Sequence, residues 1–422
     1  MKVLVVSHNV FSKTSNMGKT MSTYFSAFGR ENVAQFYIHS EVPTDDYVCN
    51  NFYRVTDLEI IKSIFTRKSG NVLGKDDIDK NRLDSRTDTG ALASVYQKSQ
   101  KRTPLIFMAR NFLWKLGRWD TKKLRSWIDK FSPDAVFFAS GDYSFMYKIA
   151  LKIAKRKNIP LYVSCMDDFY FYNKNEDMFL GKLEHKLFMK NVFKCMEYSS
   201  GIFPICEKMS DEYSKLFNKP CYTLHTGSDI EEPLKGKRGN KISYLGNLDF
   251  ERHKQLIDLG KALLKIESDK KPEYIDVYSA ETRPEILEVL TKENGINFCG
   301  KISAEEVKKV ISESALIIHT ESFEEKIMQT VAYSVSTKIA DSLASGTCLL
   351  AYGPKGIASM DYLIQNDVAF CITSKEQAED KLKQIIEDEK LREEIISRQL
   401  KLAEKNHRTS VSAGVVKEVL ER

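Results

Sequence analysis

Three cations sit where the sequence places the positive ends of helices. In "SVSTKIADSLASGTCLLAYGP" (residues 334–354), Ser336 and Thr337 read as helix caps and Lys338 as a first-turn residue. A helix and a buried strand starting at Cys348 follow. A helix N-terminus is already the positive end of the dipole, so a lysine there is favourable only when an anion joins it. In "YLGNLDFERHKQLIDLGKAL" (residues 244–263), Gly246 ends a strand, and Arg252 and Lys254 open a helix. Convergent cations, free helix N–H groups and a glycine allowing close backbone approach together suit a diphosphate. Taken singly, Arg252 and Lys254 read equally well as solvated surface cations. Asp341, three residues after Lys338, can accept hydrogen bonds from a ribose diol, the part an acid plays in dinucleotide folds. Its competing role is a surface pair with Lys338.

The first half offers weaker candidates. "SHNVFSKTSNMGKT" (residues 7–20) puts Gly18 just before a helix. A phosphate-binding loop of the Walker type needs a glycine five residues earlier, where Lys13 stands, so only a polar loop with one helix-start glycine remains. "YVSCMDDFYFYN" (residues 162–173) sets Asp167 and Asp168 past a strand end. One of them could serve as a base or bind an acceptor hydroxyl, with capping as the competing role. His8 and His225, which also end strands, read as structural.

These residues need strand ends to hold them, and the chain supplies them rhythmically. Apolar runs alternate with helical patterns: "KVLVV", "QFYIHS", "AVFFAS", "PLYVSC", "GIFPIC" and "CYTLHT" in the first half. "KISYLG", "YIDVYS", "INFCG", "ALIIHT", "TCLLAYG" and "VAFCIT" follow in the second. This predicts an α/β protein of two Rossmann-like, doubly wound domains facing each other across a cleft. The expected domains are 1–230 and 241–400, joined by the polar seam "DIEEPLKGKRGNK" (residues 229–241), with a C-terminal helix in 401–422 able to pack back on the first domain. Residues 67–104 read as a mobile insertion. Residues 98–130 carry ten Lys/Arg and two Asp, interleaved with Phe107, Phe112, Trp114, Trp119 and Trp127. They suit either an interfacial helix on an anionic membrane or an amphipathic helix covering the first sheet.

Composition narrows the classes. The 422-residue chain is 42% hydrophobic and 29% charged, which excludes disorder and exceeds one core. No apolar run is long enough to span a bilayer. Eight scattered cysteines without a C-x-x-C read as reduced core residues of a cytoplasmic protein, so no metal site is expected. A net charge of +6 does not suggest a nucleic-acid binder.

The stretch "STKIADSLASGTCLLAYGP" resembles the donor-binding helix and strand of group 1 (family 4) glycosyltransferases of the GT-B architecture. "KISYLGNLDFERHKQLI", "FCGKISAEEVKKVISESALIIHT" and "SGIFPICEKMSDEYSKLFNKPCYTLHTGSD" are similar to further pieces of that family. The resemblance implies that Gly246, Arg252 and Lys254 hold the diphosphate, together with Ser336, Thr337 and Lys338. Asp341 takes the place of the second acid of the family's E-x7-E pattern, and Tyr333 stands where the first acid is expected; Glu321 could substitute for it. The resemblance further implies sugar transfer from a nucleotide-diphospho-sugar, with UDP as the family's default nucleotide. Transfer would go to a glycan or lipid-linked acceptor with retention, without metal or other cofactor, at the inner face of the membrane, in surface-glycan synthesis. A nucleotide-sugar 2-epimerase and a non-catalytic glycosyltransferase-like partner are the alternatives.

Overall fold

The computed structural model describes residues 1–12, 16–44, 46–74, 77–78, 104–171 and 178–422. The chain divides into two compact units, Met1–Leu224 with Ser412–Arg422, and His225–Val411.

The first unit is built on a seven-stranded sheet of β1 (Val3–Ser7), β2 (Val33–Tyr37), β3 (Asn51–Arg54), β4 (Asn71–Leu73), β5 (Ala135–Ala139), β6 (Leu161–Cys165) and β7 (Gly201–Pro204). The order is β4-β3-β2-β1-β5-β6-β7, parallel except for β4, which runs antiparallel to β3. The central strands are continuous apolar runs because a parallel strand is covered on both faces: every residue of β1 and β5 is buried. The helix Thr409–Glu421 returns to this core, where Val416, Val419 and Leu420 pack among Val3, Val5 and Tyr162.

The second unit holds a six-stranded parallel sheet of β8 (Ile242–Leu245), β9 (Ile275–Tyr278), β10 (Ile296–Gly300), β11 (Leu316–Thr320), β12 (Cys348–Tyr352) and β13 (Phe370–Ile372). Its order is β10-β9-β8-β11-β12-β13, the dinucleotide-fold arrangement. All six strands coincide with the runs read from sequence. Both units are Rossmann-like parallel α/β domains, as the sequence rhythm predicts.

Several expectations change. "CYTLHT" is no strand: Cys221 makes only an isolated bridge to Ile202. β3 and β4 take its place in the count, and β4 lies in the stretch expected to be a mobile insertion. Gly70 makes that turn possible: its φ is +81°, and a Cβ there would collide with the Tyr53 ring. Residues 75–76 and 79–103 of the same stretch lie outside the described residues. The seam 229–241 belongs to the second unit, where the Leu234 N–H donates to Ser345 O (3.0 Å) and the Gly239 N–H to Glu313 O (2.9 Å).

The basic stretch within 98–130 forms two helices, Pro104–Leu116 and Lys122–Phe131. Two of its three tryptophans are taken up by the fold. Trp114 and Trp127 are buried, their indole N–H groups donating to Asp57 and Asn51 at 2.7 Å each. Trp119 and Phe107 are half-buried, and of the five aromatics only Phe112 is exposed.

Candidate functional site

In a doubly wound sheet, crossovers leave in opposite directions on either side of the point where strand order reverses, opening a crevice at the carboxyl ends. In the second unit that point lies between β8 and β11. A cavity of about 780 Å³ opens there, lined by the loop after β8, the ends of β9 and β11, and the start of the helix Lys338–Ala344. Gly246, Arg252, Ser336, Lys338 and Asp341, all named from sequence, line it together.

Arg252 is the first residue of the helix Arg252–Lys265. The turn before it is strained: Phe250 and Glu251 both have φ of +57°, a region non-glycine residues rarely adopt. Three acceptors aim the guanidinium. Nε donates to Thr320 O (3.2 Å), Nη1 to Asn247 Oδ1 (2.8 Å) and Nη2 to Glu321 Oε2 (3.1 Å). Glu321 is 2% exposed. Burial alone would raise its pKa, but His319 beside it and Arg252 hold it below the usual range. Glu321 also accepts from Ser359 Oγ (3.2 Å), and it does not line the cavity. It therefore positions Arg252.

The Lys338 ammonium lies against Gly246, so tightly that a Cβ at residue 246 would collide with Nζ. A side chain there would push the ammonium aside. The Lys338 pKa is pushed down to about 8, by desolvation first and then by the Arg252 charge, with Glu321 and Asp249 opposing. The residue as a whole is exposed, so the lowering belongs to the crowded ammonium and not to the stem. Two cations held near each other, one partly discharged, form a site that gains from an anion.

The helix starts without side-chain caps. Thr337 stands at the cap position but accepts no capping hydrogen bond, contrary to the sequence expectation, and it does not line the cavity. The N–H groups of that first turn are thus left uncapped by side chains. Asp341 faces the cavity and accepts from Ser228 Oγ (2.6 Å), which fixes its carboxylate.

Other candidates are placed elsewhere. Lys254 turns away from the cavity and pairs with Glu251 (2.7 Å) and Glu324 (2.9 Å). The expected convergence of three cations is one of two. Gly18 lies in the first unit within the helix Asn16–Tyr24, where a Cβ would strike the Val10 carbonyl oxygen, so its smallness serves packing. Asp168 satisfies a turn, accepting from the N–H groups of Tyr170 (3.1 Å) and Phe171 (3.2 Å) and from Tyr213 Oη (2.8 Å). Asp167 beside it is exposed.

Sequence reasoning missed the cavity rim. Arg283 is paired with Glu281 (2.5 Å) and Asp249 (3.0 Å). That hydrogen bond and two backbone N–H groups lower the Glu281 pKa to about 2. "AETRP" after a strand end was the available signal. Ile302, Val307, Ile311 and Ile339 make an apolar flank facing these charges. A cavity with an apolar flank, a fixed carboxylate and two convergent cations can take a base, a ribose and a diphosphate in that order.

The chain has the GT-B fold. Its structure matches that of HepE from Anabaena, solved with UDP, at a TM-score of 0.61 and 12% identity over 100% of both chains. It matches TarM from S. aureus, in complex with UDP and alpha-GlcNAc-glycerol among its ligands, at 0.60 and 11% over 100% of both chains. Sucrose-phosphate synthase from Thermosynechococcus elongatus matches at 0.59 and 9%, over 100% of this chain and 98% of that one. Residues 280–413 match the family model described as glycosyl transferase-like, a stretch that includes Lys338 and Asp341. No curated protein sequence matches the chain.

Proposed function

We propose that this protein is a retaining glycosyltransferase that moves a sugar from a UDP-sugar to a glycan or lipid-linked acceptor, in the cytoplasm, during surface-glycan synthesis. The observation that carries this reading is the meeting of Gly246, Arg252 and Lys338 at the strand-order switch of the second unit. It is supported by the glycosyl transferase-like match over 280–413 and by the UDP and UDP-glucose in the names of similarly folded proteins. The base lies along the Ile302–Val307 flank, and the ribose diol donates to Asp341. The diphosphate takes the Arg252 guanidinium, the Lys338 ammonium and the uncapped N–H groups around residues 336–338.

The hard part of such a transfer is charge on the departing diphosphate. Arg252 is already held in place by Thr320, Asn247 and Glu321, and the Lys338 ammonium is near enough to feel its charge, so both can stabilise the departing diphosphate with little reorganisation. Because the resemblance implies metal-free transfer, these two cations carry the neutralisation. Asp167, which is exposed, remains the candidate for an acceptor contact, whereas Asp168 is committed to its turn.

A thermal-shift series with UDP, GDP, dTDP, ADP and CMP, each with and without EDTA, tests the reading, since a ligand of the folded state stabilises it by mass action. A shift with UDP that is insensitive to EDTA and lost in Lys338→Ala is expected. No shift with any nucleotide would favour the non-catalytic alternative.

A further inference from the structure

We propose that the outer face of three helices in the first unit, Asp57–Thr66, Pro104–Leu116 and Phe179–Tyr198, docks on an anionic lipid bilayer. The inference does not depend on the nucleotide site, which lies in the other unit.

Each helix shows an outward apolar stripe. On Asp57–Thr66 it is Leu58, Ile61 and Phe65, at spacings of three and four, with Phe65 86% exposed while Ile60 and Ser63 are buried. On Pro104–Leu116 it is Leu105, Phe112 and Leu116, with Phe112 60% exposed and Trp114 buried. These two helices are held in register. Asp57 takes Arg110 (3.1 Å) and the Trp114 indole N–H (2.7 Å), and the Arg118 N–H donates to Ser63 Oγ (2.9 Å). Leu116 therefore comes level with the Ile60–Ser63 turn, and the two stripes lie side by side. The third helix packs next to Pro104–Leu116 and exposes Leu183 and Leu187.

The exposed charges on the first two helices, and all but Glu197 on the third, are cationic; Glu184 of the third helix is half-buried. Lys182, Lys186, Lys190 and Lys194 recur every four residues, one row beside Leu183 and Leu187, and all are exposed. Like charges at that spacing repel along a helix, a cost that an anionic surface would offset. Lys62, Arg67, Lys68, Lys115 and Arg118 are exposed as well, and none has an ion-pair partner among the described residues. Two of the nearby acids are already used, Asp57 by Arg110 and Trp114, and Glu59 by the Thr56 capping box and by Asn71; burial, with Asp142 beside it, pushes the Glu184 pKa up to about 7, which weakens its negative charge. Lys148 is lowered by burial and then by Lys115 and Lys194, which places cations of three helices within one another's field.

Exposed aromatic and aliphatic side chains set among unpaired lysines fit a bilayer, with acyl chains meeting the former and anionic headgroups the latter. A second copy of the chain fits badly, because a two-fold contact would bring the same cations face to face.

Sedimentation of the full chain with vesicles, without nucleotide, tests this. Phosphatidylcholine vesicles are compared with vesicles containing added phosphatidylglycerol, at about 0.1 M salt. Binding is expected only to the mixed vesicles. It should weaken roughly fivefold for each of Lys62→Gln and Lys186→Gln, and roughly tenfold for each of Phe65→Ser and Phe112→Ser. All four positions are exposed, so circular dichroism and UDP affinity should be unchanged. No binding to mixed vesicles, or binding indifferent to these four changes, overturns the proposal. So does a self-association that Phe65→Ser abolishes.

Discussion

The lowered pKa of Lys338 gives the nucleotide site a definite pH dependence. With the ammonium at about 8 in the free protein, half of the molecules lack that charge at pH 8. A bound diphosphate favours the charged form and returns the pKa toward the ordinary lysine range. Binding then takes up a proton, and affinity falls as pH rises through the free-state value. The apparent dissociation constant scales as one plus the ratio of neutral to charged lysine, so it worsens by about tenfold between pH 7 and pH 9. That factor is an upper figure, because the exposed stem lets solvent screen the ammonium. Phosphate ionisation near pH 6 is about nine-tenths complete at pH 7 and adds little slope above it. Tyr244 and Tyr278 are raised by burial to well above it, and Glu281 lies far below. Calorimetric titration with UDP at pH 7, 8 and 9, in buffers of different ionisation heat, reads both affinity and proton uptake. About half a proton should be taken up at pH 8. Lys338→Met should bind more weakly and without slope. A wild-type affinity that is flat from pH 7 to 9, or a slope that survives in Lys338→Met, would refute the assignment.

Three further outcomes follow from the geometry. Gly246→Ala drives a Cβ into the Lys338 ammonium and should cost about tenfold in nucleotide affinity with little change in melting temperature, as losing one charge-assisted contact would; calorimetry on the variant decides it. Glu321→Gln removes the buried counter-charge of Arg252 and should cost about 3 kcal/mol in denaturant unfolding of the second unit. The double variant with Arg252→Gln should recover part of that, and simple additivity would show that the pair is not coupled. Leu420→Ala, in the returning helix, should destabilise the first unit by about 2–4 kcal/mol, whereas a loss below about 0.5 kcal/mol would mean that the helix does not complete that core.

Residue type and spacing alone determined much of this protein. The six strands of the second unit were legible because a parallel strand covered on both faces must be an apolar run. Gly246, Arg252, Ser336, Lys338 and Asp341 were legible because such strands put their following loops at one edge of the sheet. The same logic contained the correction for Lys254: residues two apart on a helix do not share a face, so Arg252 and Lys254 could not both point at one anion. Tertiary structure alone decided the rest. Glu321 reads as a free acid in sequence, and only its burial against Arg252, 69 residues away, makes it a positioning group. β3 and β4 are short, and their pairing depends on a left-handed Gly70 and a tyrosine ring that no local pattern announces. The surface proposed to dock on lipid is made of helices separated by long stretches of chain. Each helix alone is ordinarily amphipathic, and their apolar stripes become one surface only when Asp57, Arg110 and Ser63 lock the first two into register.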